Sequence, residues 1–222
     1  MLLQRFTHQR SLLILPITLA LLVTGCNNTK PTTSADKPTT MLSDSQKQAL
    51  NSEANAIIKP FGTELMGTVK TSIQTSGAPK TVEVCKTLAP QITAKYADKT
   101  NAQGHTWSLR RTSEKIRNPN NLRRSIIKQY APDEWETKVL QQFAEQAKQG
   151  ADLSKLSYGE QVGNQYRYMK AIAIAEPCLA CHGTDVKQPV HDMLKQHYPN
   201  DKAIGFNAGD LRGAFSLSTP IS

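Results

Sequence analysis

Apolar residues are almost absent between Asn27 and Thr40, then return at Leu50, Ala54, Ile57, Ile58, Phe61, Leu65, Val69 and Ile73. That spacing of three and four predicts a long amphipathic helix with one buried face. Ser43 with Gln46 has the form of a capping box, so the helix is expected to open there. Pro60 is expected to kink it, and Gly77 and Pro79 to end it. Val82 to Tyr96 reads as a second helix, bent near Pro90. After Gly104 the period changes: His105 to Thr112 reads as a short strand, and Arg117-Asn118-Pro119-Asn120-Asn121 is turn chemistry. Asp133 opens a third helix with Trp135, Val139, Leu140, Phe143 and Ala147 on one face and Gly150 as its stop. Gln165 to Ala175 and Gly213 to Thr219 read as strands, carrying Tyr166, Tyr168, Ala171 and Ala173 in one and Ala214, Phe215 and Leu217 in the other. Helices come first and a small sheet with an inserted helix follows, an α+β order without internal repeats.

The beginning of the chain stands apart from that fold. Arg5 and Arg10 precede an apolar run from Leu12 to Val23, interrupted by Pro16, and small residues lead to Cys26, the layout of a secretory signal. The run is too short for a comfortable membrane span. Val23-Thr24-Gly25-Cys26 resembles the lipobox of bacterial lipoproteins, in which cleavage before the cysteine leaves its thiol to receive a diacylglycerol. Residues 1–25 are therefore expected to be removed, residues 26–41 to form a polar tether with nothing to repay its ordering entropy, and residues 42–222 to form one domain. The expected location is the periplasmic side of the bacterial envelope, anchored to the membrane by lipid at Cys26. Asn27, where an aspartate would signal inner-membrane retention, agrees with the outer membrane. Net charge is +9, which suits anionic lipid or an acidic protein partner. No basic block alternates with aromatics, and the run from Arg110-Arg111 to Arg123-Arg124 is broken by turn residues, so nucleic acid is not an expected partner.

Cys178-Leu179-Ala180-Cys181-His182 is the Cys-x-x-Cys-His pattern of covalent c-type haem attachment. Thiols at that spacing reach the two vinyl groups of one haem, and the adjacent imidazole is placed to be the proximal iron ligand. A thioredoxin-like dithiol would need more chain after His182, a zinc knuckle would need a second ligand pair, and a disulfide this tight would be strained. His105, His191, His197, Met66, Met169, Met193 and Cys85 are all candidates for the opposite axial position. Each alone is more often a surface histidine, a packing methionine or an inert buried thiol. Cys85 differs in being the thiol left over once Cys26, Cys178 and Cys181 are used, in an oxidising compartment.

Five runs, in order, carry a resemblance: Val84-Cys85-Lys86-Thr87-Leu88-Ala89-Pro90; Arg111-Thr112-Ser113; Arg117-Asn118-Pro119-Asn120 with Pro132-Asp133-Glu134-Trp135-Glu136; the haem motif; and Gly209-Asp210-Leu211-Arg212-Gly213-Ala214. From Leu50 to its end the chain resembles the Tll0287-like (DUF3365) family of c-type haem proteins. It departs from the family pattern in the basic, lengthened segment Leu122 to Tyr130. The resemblance implies a PAS-like antiparallel sheet wrapped by helices, one covalent haem c, and His182 and Cys85 as axial ligands. Arg110 or Arg111 is expected to meet a haem propionate. Two function classes follow: a redox or diatomic-gas sensor signalling to a separate protein, or a membrane-anchored electron-transfer cytochrome. No paired carboxylates, Ser/His/Asp order or phosphate loop supports an enzyme of the hydrolytic or phosphoryl-transfer kind.

Overall fold

The protein is described here from a computed structural model covering residues 41–117 and 131–221. The expected leader, the tether up to Thr40, the lipidation residue Cys26 and the basic stretch Leu122–Tyr130 lie outside the described residues. No described helix is long and apolar enough to cross a membrane.

Helix α1, Asp44–Tyr96, is two limbs rather than one rod. Ser43 caps it with the reciprocal Gln46 contacts of a capping box. Gly77 is its one non-helical residue, at φ 79° and ψ 162°, a backbone that glycine alone adopts without strain. The chain reverses there. Ser72 and Thr81 share a hydrogen bond at 2.9 Å, the Phe61 and Tyr96 rings lie 5.7 Å apart, and Lys95 and Tyr96 both donate to Glu64 Oε2 at 2.7 Å. The limbs (44–76 and 78–96) are thus an antiparallel pair. Pro60 and Pro90 keep helical dihedrals, so the helix runs on through both of the expected kink sites. Both are exposed, as are Ala56 and Lys86 four residues before them, so the carbonyls they free face water.

Five antiparallel strands form one sheet: β1 Lys99–Thr100, β2 Thr106–Thr112, β3 Ser157–Val162, β4 Gln165–Ala173 and β5 Leu211–Pro220, in the order β1-β2-β5-β4-β3. The last strand is therefore held between β2 and β4, with Leu109 opposite Leu217 and Tyr168 opposite Leu217 on its other side. One face buries Trp107, Leu109, Tyr166, Tyr168 and Leu217 against Leu50, Ala54, Ile58 and Phe61 of α1. The other buries Met169, Ala171 and Ala214 against Val139, Leu140 and Phe143 of α2, Glu134–Lys148. The α+β architecture is thus a sheet covered by helices on both faces, as the order of elements predicts.

Asp133 and Glu136 form the capping box of α2. Glu136 is fully buried, and its carboxylate also takes hydrogen bonds from Arg110 Nε at 3.0 Å, Arg110 Nη2 and Ser216, with Arg167 at 3.4 Å. A buried carboxylate is tolerable only when paired in this way. Beyond β4 the chain forms a single helical turn, α3 (Leu179–His182), and a ten-residue helix, α4 (Gln188–His197), that packs on α1.

Candidate functional site

The Cys-x-x-Cys-His residues occupy a 3-10 turn, Glu176–Cys178, running directly into α3. Pro177 starts that turn, and its fixed φ suits the first position of a helical segment. Cys178 packs against Ile174, Ala203 and Phe206, whereas Cys181 packs with Val82, Val190, Leu194 and Tyr198. All three described cysteines, Cys85, Cys178 and Cys181, are free thiols. Among the described residues no three His, Cys, Asp or Glu side chains converge as a shell for a bare metal ion.

Residues 201–206 strap the histidine in place. Phe206 N–H donates to His182 O and Gly205 N–H to Gly183 O, both at 3.0 Å. The His182 Nδ1 lies 2.6 Å from the Ala203 carbonyl, and Asp201 Oδ1 in turn accepts from Ala203 N–H at 2.8 Å. Arg117 Nη2 approaches the same Nδ1 to 2.8 Å, but a guanidinium only donates and a carbonyl only accepts. Arg117 Nη2 has the Cys181 carbonyl at 2.8 Å and the Ala203 carbonyl at 3.5 Å as acceptors, and it lies 3.4 Å from Nε2. A proton on Nδ1 would satisfy the Ala203 carbonyl and leave the Nε2 lone pair facing this guanidinium. Burial, followed by the charges of Arg117 and Arg212, keeps the His182 pKa well below its ordinary value, so this imidazole is neutral.

Cys85 stands on the second limb of α1, one turn from Val82, which contacts the Cys181 cluster, and Cys181 Sγ lies 3.9 Å from the Ala78 carbonyl on that limb. The three thiols are within electrostatic reach of one another. Burial pushes the Cys85 thiol up and the Cys181 thiol to about 11, although Arg117 pulls both down. The other candidates for the axial position are dispersed. His105 is bound to Glu53 Oε2 at 2.8 Å, and Met169 is fully buried in the core against α2. Met66 lines an open groove with Ile58, Gly62 and Phe215. His191 and His197 lie on α4, the latter with Nδ1 3.4 Å from Lys86 Nζ. Met193 packs in the same cluster as Cys181.

The expected arginines separate. Alternation along β2 sends Arg110 to the α2 face, where Glu136 holds it, so Arg110 is not part of this site. Arg111 points to the α1 face, opposite Phe215, and its charge is felt at Cys85, His182 and Arg212. Arg117 and Arg212 complete the cluster. Neither stood out in the sequence as a binding residue, because a turn and a strand start are ordinary places for an exposed arginine; the signal was their position in two of the family-like runs.

Residues 33–220 match the family model described as Tll0287-like. The crystal structure of the cyanobacterial haem protein Tll0287 is similar at 21% identity and a TM-score of 0.49, over 78% of this chain and 95% of that one. No curated protein matches the chain. A model match running through both limbs of α1, the whole sheet and the Cys178–His182 turn shows that the chain belongs to the Tll0287-like family.

Proposed function

We propose that this chain is a c-type haem protein that senses redox state or a diatomic gas, lipid-anchored through Cys26 on the periplasmic side of the envelope. The observation that carries the reading is His182, kept neutral by burial and with Nδ1 against the Ala203 carbonyl, beside two free thiols at haem-attachment spacing. Membership of a family named for a haem protein supports it. The residues fit the group: Cys178 and Cys181 would form the thioethers, His182 would be one axial ligand, and Cys85, on a different element, the other. Haem c held in this way supplies a one-electron couple and, where an axial position opens, a site for a diatomic gas.

The residues of the chain then have separable tasks. The Ala203 carbonyl against Nδ1 would fix the ring plane and leave Nε2 as the ligating nitrogen. The apolar residues around Cys181 and Cys178 exclude water. Burial favours the neutral Cys85 thiol, so negative charge stays on its sulfur only while a cation faces it. Reduction by one electron would weaken the hold on a thiolate, and Cys85, taking a proton from solvent, would be released with the second limb of α1, which joins the first at Gly77 and whose movement a partner protein would read.

Cys85→Ser tests this. The variant is expected to keep its haem through denaturing electrophoresis, to lose the thiolate-like low-spin ferric resonance, and to rise in reduction potential. An unaltered ferric spectrum would pass the axial role to another side chain, Met193 first, and favour the electron-transfer cytochrome.

A further inference from the structure

Arg111, Arg117 and Arg212 reach one site from three parts of the chain: the end of β2, the loop after it and the start of β5. Their charges act on one another and on His182. Burial, then the charges of Arg117 and Arg111, brings the Arg212 pKa down to about 10, so this guanidinium is held in place against both solvent loss and repulsion. It donates to Ser113 Oγ at 2.9 Å and the Lys115 carbonyl at 3.2 Å, which fix its position without neutralising it. Among the described residues the only ion pair these arginines make is Arg117 with Asp201, at 3.3 Å. The Nε atoms of Arg111 and Arg117 are buried with no hydrogen-bond partner among those residues.

Among the described residues, three guanidiniums against one carboxylate, with Lys115 Nζ 4.6 Å from the Phe206 ring that Arg212 also covers, leave positive charge in excess beside a half-buried site, a costly arrangement unless an anion completes it. Like charges gathered without an anion would favour splaying into solvent, yet Arg212 is held inside by Ser113 and Arg117 by Asp201 and the Cys181 carbonyl.

We infer that Arg111, Arg117 and Arg212 form a dicarboxylate subsite that takes the two propionates of the haem, with Asp201 orienting Arg117. This rests on the haem reading above and adds to it the edge by which the porphyrin is held. Arg110, one residue away, takes no part, because strand alternation gives it to Glu136. Planar forked donors suit carboxylates bidentately, which a lysine would do only as a point charge.

The experiment uses the mature, haem-loaded protein with Arg111→Gln, Arg117→Gln and Arg212→Gln, the corresponding lysine variants, and Lys138→Gln as a remote surface control. Haem staining after denaturing electrophoresis reads attachment; redox titration reads the potential; resonance Raman reads the propionate bending modes. Removal of one cation beside the porphyrin favours the ferric form, so each glutamine variant should keep covalent haem and shift the ferric to ferrous ratio roughly tenfold or more at fixed poise, 59 mV for a one-electron couple. The lysine variants should recover most of that shift while still altering the propionate modes, so the propionate modes of the lysine variant give the reading wherever a glutamine variant does not accumulate. Haem-loaded variants with the potential and propionate modes of the control would overturn the subsite and leave the haem reading standing. Absence of covalent haem from the unsubstituted protein would overturn both.

Discussion

Gly213 shows how much one residue can decide. Its φ is 149°, and a Cβ there would lie 2.2 Å from the Thr112 carbonyl. The close approach lets β5 run beside β2 at the point where Arg212 enters the site, and it coincides with the irregular register at Ile172/Ala173 on β4. Gly213→Ala is expected to lower stability by about 1–3 kcal/mol from backbone strain, measured by thermal denaturation. A stability equal to that of the parent would show that the strands separate without cost. His182 makes the same point: the Ala203 carbonyl, 2.6 Å from Nδ1, orients the ring.

At the scale of elements, Glu136 joins α2 to β2, β4 and β5. Glu136→Ala leaves Arg110 without its main buried partner, so a loss of about 3–5 kcal/mol is expected, read from urea denaturation; Glu136→Gln should cost less because it keeps an acceptor. A loss below 1 kcal/mol in the alanine variant would mean that Arg167 and Asp133 rearrange to replace it. This network also explains what was legible in the sequence. The capping box at Ser43, the helix start at Asp133, the Gly77 break and the tyrosine-bearing strand all follow from local spacing. Strand β3 was not readable, since Ser157-Tyr-Gly-Glu-Gln-Val alternates weakly and Gly159 interrupts it; a Cβ there would meet Asn51 Oδ1 at 2.4 Å and the Tyr166 hydroxyl at 2.6 Å, so the glycine reports a tertiary contact. Helix α4 was hidden by Pro189 and by the polar His191 and Asp192 between the few buried residues. Arg110 and Arg111 are equivalent in sequence and are distinguished only by which face of β2 meets which helix. Cys85 joins the site through the reversal at Gly77, which spacing marks as an end but does not aim.

For the molecule as a whole, anchor and chemistry are expected to be independent. Cys26→Ser should move the protein from membranes to the soluble periplasmic fraction with its spectrum unchanged, because every residue of the proposed haem site lies in the domain beyond the tether. Membrane retention of the variant would assign attachment to the basic surface, net +9 in the full sequence, instead of to lipid. The central claim is that Cys178 and Cys181 hold one haem covalently. Its most direct test is acid-acetone extraction and pyridine haemochrome analysis of the protein, and of Cys178→Ala/Cys181→Ala, produced in a host with intact cytochrome c maturation. One non-extractable haem per chain with both vinyl groups saturated is expected, lost in the double variant. Colourless protein, or haem that extracts freely from the parent chain, would contradict it.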